Sequence, residues 1–430
     1  MEDLADLPDD ALVARLQRGA FSYFTEFCDP VTGLVADTSR KDSPSSIAVV
    51  GFALSCYPIG VRNSWMTRAD AARQTLKVLR FFAHSEQSAD PDATGYKGLY
   101  YHFLDMHTGK RVWRCELSLI DSALLMAGIL VSAVFFDGEG DEREIRDLAN
   151  ALYRRVEWHW AESGTKTVAQ GWKPECSFLN YGWEGYNEAT ILYVLGLGSP
   201  THPLAKRGFD SWRLTYQWEH LLGHDVLYSG PLFTHLFSHA WIEFRGIRDA
   251  FMREKSSDYF ENTVRSIALH REYAVRNPLA FTGYCSDFWG VTAGDGPPYG
   301  QMREDGRDRR YFGYMSRGVP YGPDDGTISP WAMLATLPFT PEAALTGTRH
   351  LLRTYPQVCR SDRFASGFNP TLVKDGQGWL SEGWYGLDQG LLVMMIENHR
   401  SGFAWDLCRR SPYIRAGLAR AGFTGGWLAP

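Results

Sequence analysis

Long apolar runs and clusters of basic residues are both missing from this chain of 430 residues. No apolar segment reaches the roughly 18 residues that a membrane-spanning helix requires, so we expect no membrane partner. The net charge is −6 without any basic cluster to neutralise a phosphate backbone, so nucleic acid is not an expected partner. The N-terminus is acidic and lacks the basic start and apolar core of a signal peptide. We therefore expect a cytoplasmic protein, or a periplasmic one if a leader has been removed.

Paired cysteines and nucleotide-binding motifs are also absent from the sequence. The seven cysteines are scattered and form no C-x-x-C pair. This pattern is typical of free thiols in a reducing compartment, not of a disulfide framework or a zinc knuckle. The sequence contains no G-x-G-x-x-G, no P-loop and no G-x-S-x-G motif. Nucleotide cofactors and serine hydrolysis therefore have no support in the sequence.

Aromatic residues, in contrast, are abundant. They make up 14% of the chain and include 15 tryptophans, many of them close to Gly, Asp or Glu. A pyranose has one apolar face that stacks on a flat ring and a belt of hydroxyl groups that need polar partners. This mixture of residues favours a carbohydrate-binding site, although each ring taken singly is more often part of a hydrophobic core.

Helical periodicity recurs along the whole chain, with apolar helices alternating with amphipathic ones. The predicted helices are 11–27, 45–57, 67–84, 118–136, 141–160, 187–195, 203–222, 256–277, 329–337, 341–354, 387–399 and 413–421. Long loops rich in Gly and aromatic residues join them at 90–114, 161–186, 281–328 and 361–385. No linker divides the chain. The pattern predicts an all-α fold, a single (α/α)6 toroid domain over residues 1–430, with small β-hairpins over a cleft.

One candidate for acid and base chemistry stands where a loop enters the apolar helix 118–136. Glycoside hydrolysis requires a carboxylic acid that protonates the leaving oxygen and a second carboxylate. Asp121 follows Ser118 by three residues, so both side chains share a face that is predicted to be buried. The alternative is a helix N-terminal acid that bonds Ser118 and stabilises the helix dipole. Glu116 is interpreted as a supporting carboxylate that caps the helix or binds sugar.

Glu188 is the stronger candidate, in the second cluster at 181–190. It lies in the first turn of the apolar helix predicted at 187–195, and the aromatic residues Trp183 and Tyr186 and the amide of Asn187 lie within five positions of it. This short span combines a carboxylate, stacking rings and a hydroxyl partner. The alternative is an exposed glutamate in the first turn that closes a capping box.

Further polar and aromatic residues in the loops are candidates for sugar binding. His235 and His239 have the i, i+4 spacing of zinc ligands, but Leu236 stands where a zinc protease has its glutamate. We therefore interpret the two histidines as sugar partners or structural residues. The other candidates for stacking or hydroxyl binding are Asp287, Trp289, Asp325, Trp384 and Asp388.

In its motifs the chain resembles the glycoamylase-like family, which includes the endo-β-1,2-glucanases of glycoside hydrolase family 144 and the transglycosylating domain of cyclic β-1,2-glucan synthases. The segments that carry the resemblance are 45–52, 116–121, 185–189, 230–235, 239–246, 289–293, 324–328, 386–390 and 421–427. The resemblance implies an (α/α)6 toroid without a metal or organic cofactor, with catalytic acids at the positions of Asp121 and Glu188. Two positions depart from the family pattern: some branches have glutamate in place of Asp121, and Cys285-Ser286 stands where Gly-Glu is expected.

The expected function is therefore hydrolysis of a β-1,2-glucan by the pair Glu188 and Asp121, with endo action on a linear chain and an oligosaccharide or polysaccharide as the partner. An exo-acting hydrolase or a transglycosylase acting on another β-glucan is the first alternative. A non-catalytic glucan-binding protein is the alternative from a different class. An isomerase or lyase on the same toroid is more distant.

Overall fold

The computed structural model describes residues 4–162, 166–304, 306–374 and 377–429. Helices dominate this part of the chain. The α-helices are α1 (Asp9–Glu26), α2 (Ile47–Arg62), α3 (Arg68–His84), α4 (Leu119–Phe135), α5 (Asp141–Arg154), α6 (Thr190–Gly198), α7 (Lys206–Arg213), α8 (Phe237–Trp241), α9 (Ala250–Glu254), α10 (Tyr259–Arg276), α11 (Pro330–Ala335), α12 (Pro341–Thr354), α13 (Gly386–Ser401), α14 (Phe403–Arg410) and α15 (Pro412–Ala421). Among these described residues, no helix is long and apolar enough to cross a membrane.

The helices form an inner and an outer layer. The inner helices α2, α4, α6, α8, α11 and α13 are buried along most or all of their length. Within this layer α2 packs between α4 and α13, α4 packs on α6, and α11 packs on α13. The amphipathic helices α1, α3, α5, α10 and α12 cover them from outside, because each has only one apolar face to bury. The predicted all-α (α/α)6 toroid is confirmed.

Glycine sets the closest approach between inner helices, at the crossing of α2 and α4. A Cβ atom added to Gly51 would overlap the carbonyl group of Leu124, and one added to Gly128 would overlap the carbonyl group of Gly51. The two backbones therefore touch at a crossing that no side chain separates. This contact draws together the N-terminal ends of α2 and α4.

Short antiparallel strands lie in the loops between the helices. They are β1 (Ser45–Ser46), β2 (Gly95–Tyr96), β3 (Leu99–Tyr101), β4 (Phe103–Leu104), β5 (Leu117–Ser118), β6 (Gly171–Lys173), β7 (Ser177–Phe178), β8 (Trp218–Leu221), β9 (His224–Leu227), β10 (Ala293–Gly294), β11 (Gly300–Glu304), β12 (Arg307–Tyr311), β13 (Met315–Ser316), β14 (Cys359–Arg360), β15 (Arg363–Phe364), β16 (Phe368–Lys374) and β17 (Gln377–Leu380). One sheet has the order β2-β3-β5-β6-β7, and the other described sheets have two strands each. The predicted small hairpins are thus present, in the loops that enter the inner helices.

The helix predicted at 203–222 is wrong in its second half. Helix α7 ends at Arg213, and a hairpin of β8 and β9 follows. Its turn consists of Leu222 and Gly223, with φ of 51° and 89°. Two successive residues with positive φ match the right-handed twist of a hairpin and terminate any helix. In the sequence, Gly223 was the local sign of a turn. The apolar residues before it have helical spacing, so the sequence predicted a helix where the structure has a strand.

Candidate active site

The N-terminal ends of four inner helices bring carboxylates into one cleft. Five of these carboxylates, here called the acid cluster, are Asp37, Glu116, Asp121, Glu188 and Asp388. Backbone contacts hold the loops that carry them: β1 pairs with β4, and Thr38 forms a bridge with Tyr385. The amide of Gly386, the first residue of α13, donates to the carbonyl oxygen of Asp37 at 2.8 Å. The start of α13 is therefore tied to the loop that enters α2.

Asp121 lies in the first turn of α4 and is 7% exposed. The hydroxyl of Ser118, the residue before the helix, accepts a hydrogen bond from the Asp121 amide at 3.2 Å and donates one to its Oδ2. Ser118 thus caps the helix and orients the carboxylate at the same time. Both predicted features, the shared face and the capping bond, are present together.

His102 links two of the carboxylates. Its Nδ1 lies 2.8 Å from Oε1 of Glu116, and its Nε2 lies 3.5 Å from Oδ2 of Asp121. The ring stacks on Phe103 at 4.0 Å between centroids. Burial opposes the charged form, but the charges of Asp121, Glu116 and Asp37 outweigh it and raise the pKa of His102 to about 9. An imidazolium therefore stands among the carboxylates at neutral pH and compensates part of their charge.

Glu188 is two residues before α6, and its backbone is fixed on both sides. The hydroxyl of Ser238 on α8 donates to the Glu188 carbonyl oxygen at 2.8 Å, and Oδ1 of Asn187 accepts from the Ala189 amide at 3.0 Å. Burial, together with the negative charge of Asp121, raises the pKa of Glu188 to about 7. The carboxyl group therefore holds its proton for about half the time at neutral pH, as a general acid must.

Two further carboxyl groups of the cluster have raised pKa values. Burial, opposed by His102 and supported by Asp121, raises the pKa of Asp37 to about 6. Asp388 is 8% exposed, and its Oδ2 has no hydrogen-bond partner among the described residues. Burial and the charges of Asp37 and Asp295 raise the pKa of Asp388 well above its usual range. The cluster thus holds more carboxyl groups than can all be ionised together.

Aromatic rings border a cavity of 530 Å³ beside the cluster. Its lining includes Asp37 and His102 from the cluster region and the rings of Trp113, Tyr314 and Tyr385. Trp113 is 70% exposed, and the two tyrosine rings stack at 6.4 Å. The cavity therefore presents ring faces and polar groups together, the combination that a pyranose requires. In this structure these rings, and not the predicted ones, border the cavity beside the acids.

Four of the predicted sugar-binding residues are almost wholly buried. His235 and His239 are 1% and 2% exposed, and burial lowers their pKa values to about 4 and about 3. Trp289 is 1% exposed, which leaves no ring face for a sugar. Asp325 is 1% exposed, and both its oxygens bind the Arg317 guanidinium, at 2.7 and 2.9 Å.

The remaining predicted residues lie in different parts of the molecule. Tyr186 stacks on a buried tyrosine but also lines a second cavity of 340 Å³. Trp183 is half-buried against the core, and Trp384 is half-buried beneath a guanidinium 4.9 Å from its ring centroid. Asn187 is half-buried at the entry to α6, whereas Asp287 is half-buried near α12, on the outer layer. The structure therefore brings the predicted acids together, whereas the predicted binding residues lie apart from one another.

Sequence reasoning did not single out His102, Asp37 or Tyr314. His102 lies in the bend between β3 and β4, Asp37 lies in the bend between the bridge residues Ala36 and Thr38, and Tyr314 lies far along a long loop. The only signal was general, since each belongs to a loop that enters an inner helix. Within the described ranges, no three His, Cys, Asp or Glu side chains are arranged to hold a metal ion.

Comparisons with known proteins agree with this architecture. A family model described as "Putative glucoamylase" matches residues 180–412. The exo beta-1,2-glucooligosaccharide sophorohydrolase of Parabacteroides distasonis is 26% identical over 96% of this chain and 58% of its own length. A crystal structure described as a putative glucoamylase from Bacteroides uniformis is 28% identical, with a TM-score of 0.87 over 99% of this chain and 100% of that one. An endo-beta-1,2-glucanase from Chitinophaga pinensis shares the fold at 24% identity, with a TM-score of 0.84 over 98% and 100% of the two chains.

Proposed function

We propose that this chain, which belongs to the glycoamylase family described as "Putative glucoamylase", is a glycoside hydrolase that cleaves β-1,2-linked glucan. The chain spans 58% of the length of the curated relative that it matches. The proposal therefore concerns the chemistry of the cleft described above. The proposed substrate class is inferred from the activity named for the sophorohydrolase of P. distasonis and from the sequence motifs. The proposed mechanism is inferred from the geometry of the acid cluster.

One observation carries the proposal: a carboxyl group whose pKa is raised shares the acid cluster with a second carboxyl group in a different environment. The pKa of Glu188 is raised to about 7 by burial and by the charge of Asp121. Asp121 itself accepts a hydrogen bond from Ser118 and lies near the His102 imidazolium, two contacts that suit a carboxylate anion. Glycosidases separate the roles of their two carboxyl groups through such differences in environment.

In the proposed reaction, Glu188 donates its proton to the glycosidic oxygen as the bond from that oxygen to the anomeric carbon breaks. A water molecule attacks the anomeric carbon, and Asp121 accepts the proton that this water loses. The second sugar leaves with a new hydroxyl group, and the resting state returns when Asp121 releases its proton to solvent and Glu188 takes one up from solvent. Because aspartate is one methylene shorter than glutamate, we expect room for the water and inversion at the anomeric carbon.

His102 and Glu116 support this pair without touching the reacting atoms. One ring nitrogen of the His102 imidazolium contacts the Glu116 carboxylate and the other lies near the Asp121 carboxylate. The ring therefore fixes the position of Asp121 and compensates its charge. Substrate contacts then come from the 530 Å³ cavity, where Trp113 and Tyr385 offer ring faces. We assign the binding of sugar hydroxyl groups to Asp37 and Asp388. Both belong to the acid cluster, and the negative charge of a neighbouring acid contributes to the raised pKa of each.

We propose endo cleavage, because a cavity of 530 Å³ is lined by Asp37 and His102, and another of 340 Å³ is lined by Tyr186, two residues before Glu188, so there is room for sugar units near more than one of the acids. Exo cleavage with release of sophorose is the second candidate, favoured by the activity named for the P. distasonis relative. A time course separates the two modes. Endo action gives products of many lengths at the earliest times, whereas exo action gives sophorose alone from the start.

The test is product analysis with a panel of linear glucans of β-1,2, β-1,3, β-1,4 and α-1,4 linkage. We expect short oligosaccharides from the β-1,2 chain alone. No product on the whole panel, together with glucan binding by the intact protein, would instead support a binding protein. An unsaturated or isomerised product would support a lyase or an isomerase.

A further inference from the structure

A cavity of 580 Å³ lies on the other side of Arg40 from the one beside the acid cluster. Its described lining residues are Arg40, Asp295, Gly296, Pro298, Gln377, Gly378, Trp379, Leu380 and Glu382. Its volume falls within the range of about 300 to 1,000 Å³ that is usual for small-ligand pockets. Arg40 also lines the 530 Å³ cavity, so its side chain is the shared wall between the two spaces.

Several contacts fix the Arg40 side chain in this position. Its guanidinium forms an ion pair with Asp295, and its Nε donates to the Glu382 carbonyl oxygen at 3.0 Å. The hydroxyl of Ser381 donates to the same Asp295 carboxylate at 2.9 Å. The guanidinium also lies 5.4 Å from the centroid of the Tyr385 ring. Arg40 is thus a rigid wall that presents N–H groups beside an aromatic ring.

Trp379 gives the second cavity the character of a sugar site. It lies on β17 opposite Asn369 and is half-buried, so one part of the ring packs and another part faces the cavity. The exposed Glu382 side chain and the Arg40 guanidinium belong to the same lining, with Arg40 held next to Glu382. A ring face flanked by a carboxylate and a guanidinium provides stacking for the apolar side of a pyranose and partners for its hydroxyl groups.

We propose that this cavity, here called the distal cavity, is a second sugar-binding subsite that holds a glucosyl unit of the same glucan chain whose scissile bond lies at the acid cluster. The proposal rests on the proposed function for the identity of the sugar. A chain that crosses Arg40 occupies both cavities, so affinity rises with chain length until the chain reaches Trp379. Chains too short to cross Arg40 gain nothing from the distal cavity.

The test measures binding without turnover, by calorimetry on the Glu188→Gln protein with β-1,2-linked glucose oligomers from the disaccharide upward. We expect affinity to increase at the length that first spans Arg40. Adding Trp379→Ala should remove about tenfold of the affinity for the longer oligomers, the loss of one aromatic contact, and leave the short ones unchanged. Trp379→Phe should restore most of the loss. The matched control is Trp218→Ala, because Trp218 packs on Phe251 and lines neither cavity.

Equal losses at every length, or no loss at any length, would overturn the distal subsite. Melting temperatures of both Trp379 variants exclude misfolding as the cause of an equal loss. Failure of the proposed function is separate, since it is read from the products of the wild-type protein. Length-dependent binding through Trp379 without hydrolysis would support the distal subsite and contradict the proposed hydrolase activity. Hydrolysis of β-1,2-glucan, with a binding affinity that does not depend on chain length, would support the hydrolase activity and contradict the distal subsite.

Discussion

Glu188 and His102 both hold protons near neutral pH, although one is an acid and the other a base. Burial and Asp121 raise the pKa of Glu188 to about 7, and the surrounding carboxylates raise the pKa of His102 to about 9 against the effect of burial. The proton on Glu188 is the one available for transfer, because a carboxyl group with this pKa can release its proton near neutral pH. The proton on His102 stays and offsets the charge of Asp121 and Glu116.

Replacing Glu188 by glutamine tests the first of these two protons. The amide keeps the size of the side chain but has no proton to donate, so we expect kcat to fall about 10² to 10⁴-fold with KM little changed. The pKa of Glu188 is about 7 in the folded protein against a model value of 4.5, so its ionisation costs stability as pH rises from 4.5 through 7. At pH 8 the variant should therefore melt at a higher temperature than the wild type while being inactive.

The control for this variant is Asp225→Asn, which removes an exposed carboxylate that pairs with His220 on the β8–β9 hairpin. It should change neither turnover nor melting temperature. Full activity of the Glu188→Gln protein would exclude Glu188 as the acid. A melting temperature below that of the wild type at pH 8 would contradict the raised pKa.

Replacing His102 by glutamine tests the second proton. The pKa of His102 is raised from 6.5 to about 9, so its charge stabilises the fold fully below pH 6.5 and this contribution disappears as pH rises through 9. We expect the variant to be less stable than the wild type at pH 6 and nearly equal to it at pH 10, by denaturant unfolding. The acidic limb of its pH profile for kcat should move to higher pH, because Asp121 and Glu116 lose a neighbouring cation.

His107→Gln is the matched control, since His107 also pairs with a carboxylate, Asp29, but its side chain is 82% exposed. Its removal should leave the pH profile of kcat in place. A His102 variant that loses stability but keeps the wild-type profile would reduce His102 to a purely structural residue.

Among the elements, the crossing of α2 and α4 determines where the acids stand. Gly128→Ala places a methyl group against the carbonyl of Gly51, and neither backbone can yield without moving an inner helix. We expect a loss of about 1 to 3 kcal/mol in the free energy of unfolding, measured with urea. Gly300→Ala on the exposed β11–β12 hairpin meets no atom closer than 3.9 Å and should change stability little. An unchanged midpoint for Gly128→Ala would show that the two helices can separate freely.

The inner and outer helices were largely predictable, because burial imposes a pattern that the sequence must carry. The helix predicted at 341–354 coincides with α12 at both ends, where Pro341 fixes the first position and the amphipathic pattern stops at Thr354. Helices α8, α9 and α14 were missed, since five to eight residues are too few to show a clear period. The hairpin at 218–227 was missed because Trp218, Leu221 and Leu222 fit the helical spacing of the segment before them equally well.

The sequence indicated candidate acids only at helix starts. Asp121 was predicted because a carboxylate in an apolar helix has few explanations, and Glu188 was predicted because aromatic residues surround it in sequence. The structure places both in the acid cluster, and their catalytic roles stay predictions. His102 could not be found, since its partner Asp121 lies 19 positions away and meets it only through the pairing of β3 with β5. Asp325 resembled a binding residue until the structure placed Arg317 against both its oxygens.

For the whole molecule, the toroid explains why so many acids share one cleft. Its inner helices direct their N-terminal ends to the same side, and a helix N-terminus favours a nearby negative charge. The acid cluster thus draws its members from segments that lie hundreds of residues apart, between Asp37 and Asp388.

The most direct measurement is proton NMR of linear β-1,2-glucan incubated with the wild-type protein, the Glu188→Gln variant and the Asp121→Asn variant at equal concentration. We predict new reducing ends with the wild type alone, first seen as the α anomer, because attack by water on a β-linked unit inverts the anomeric carbon. Cleavage by either variant at the wild-type rate would contradict the assigned pair of carboxyl groups. An intact polymer after incubation with the wild type would contradict the proposed activity itself.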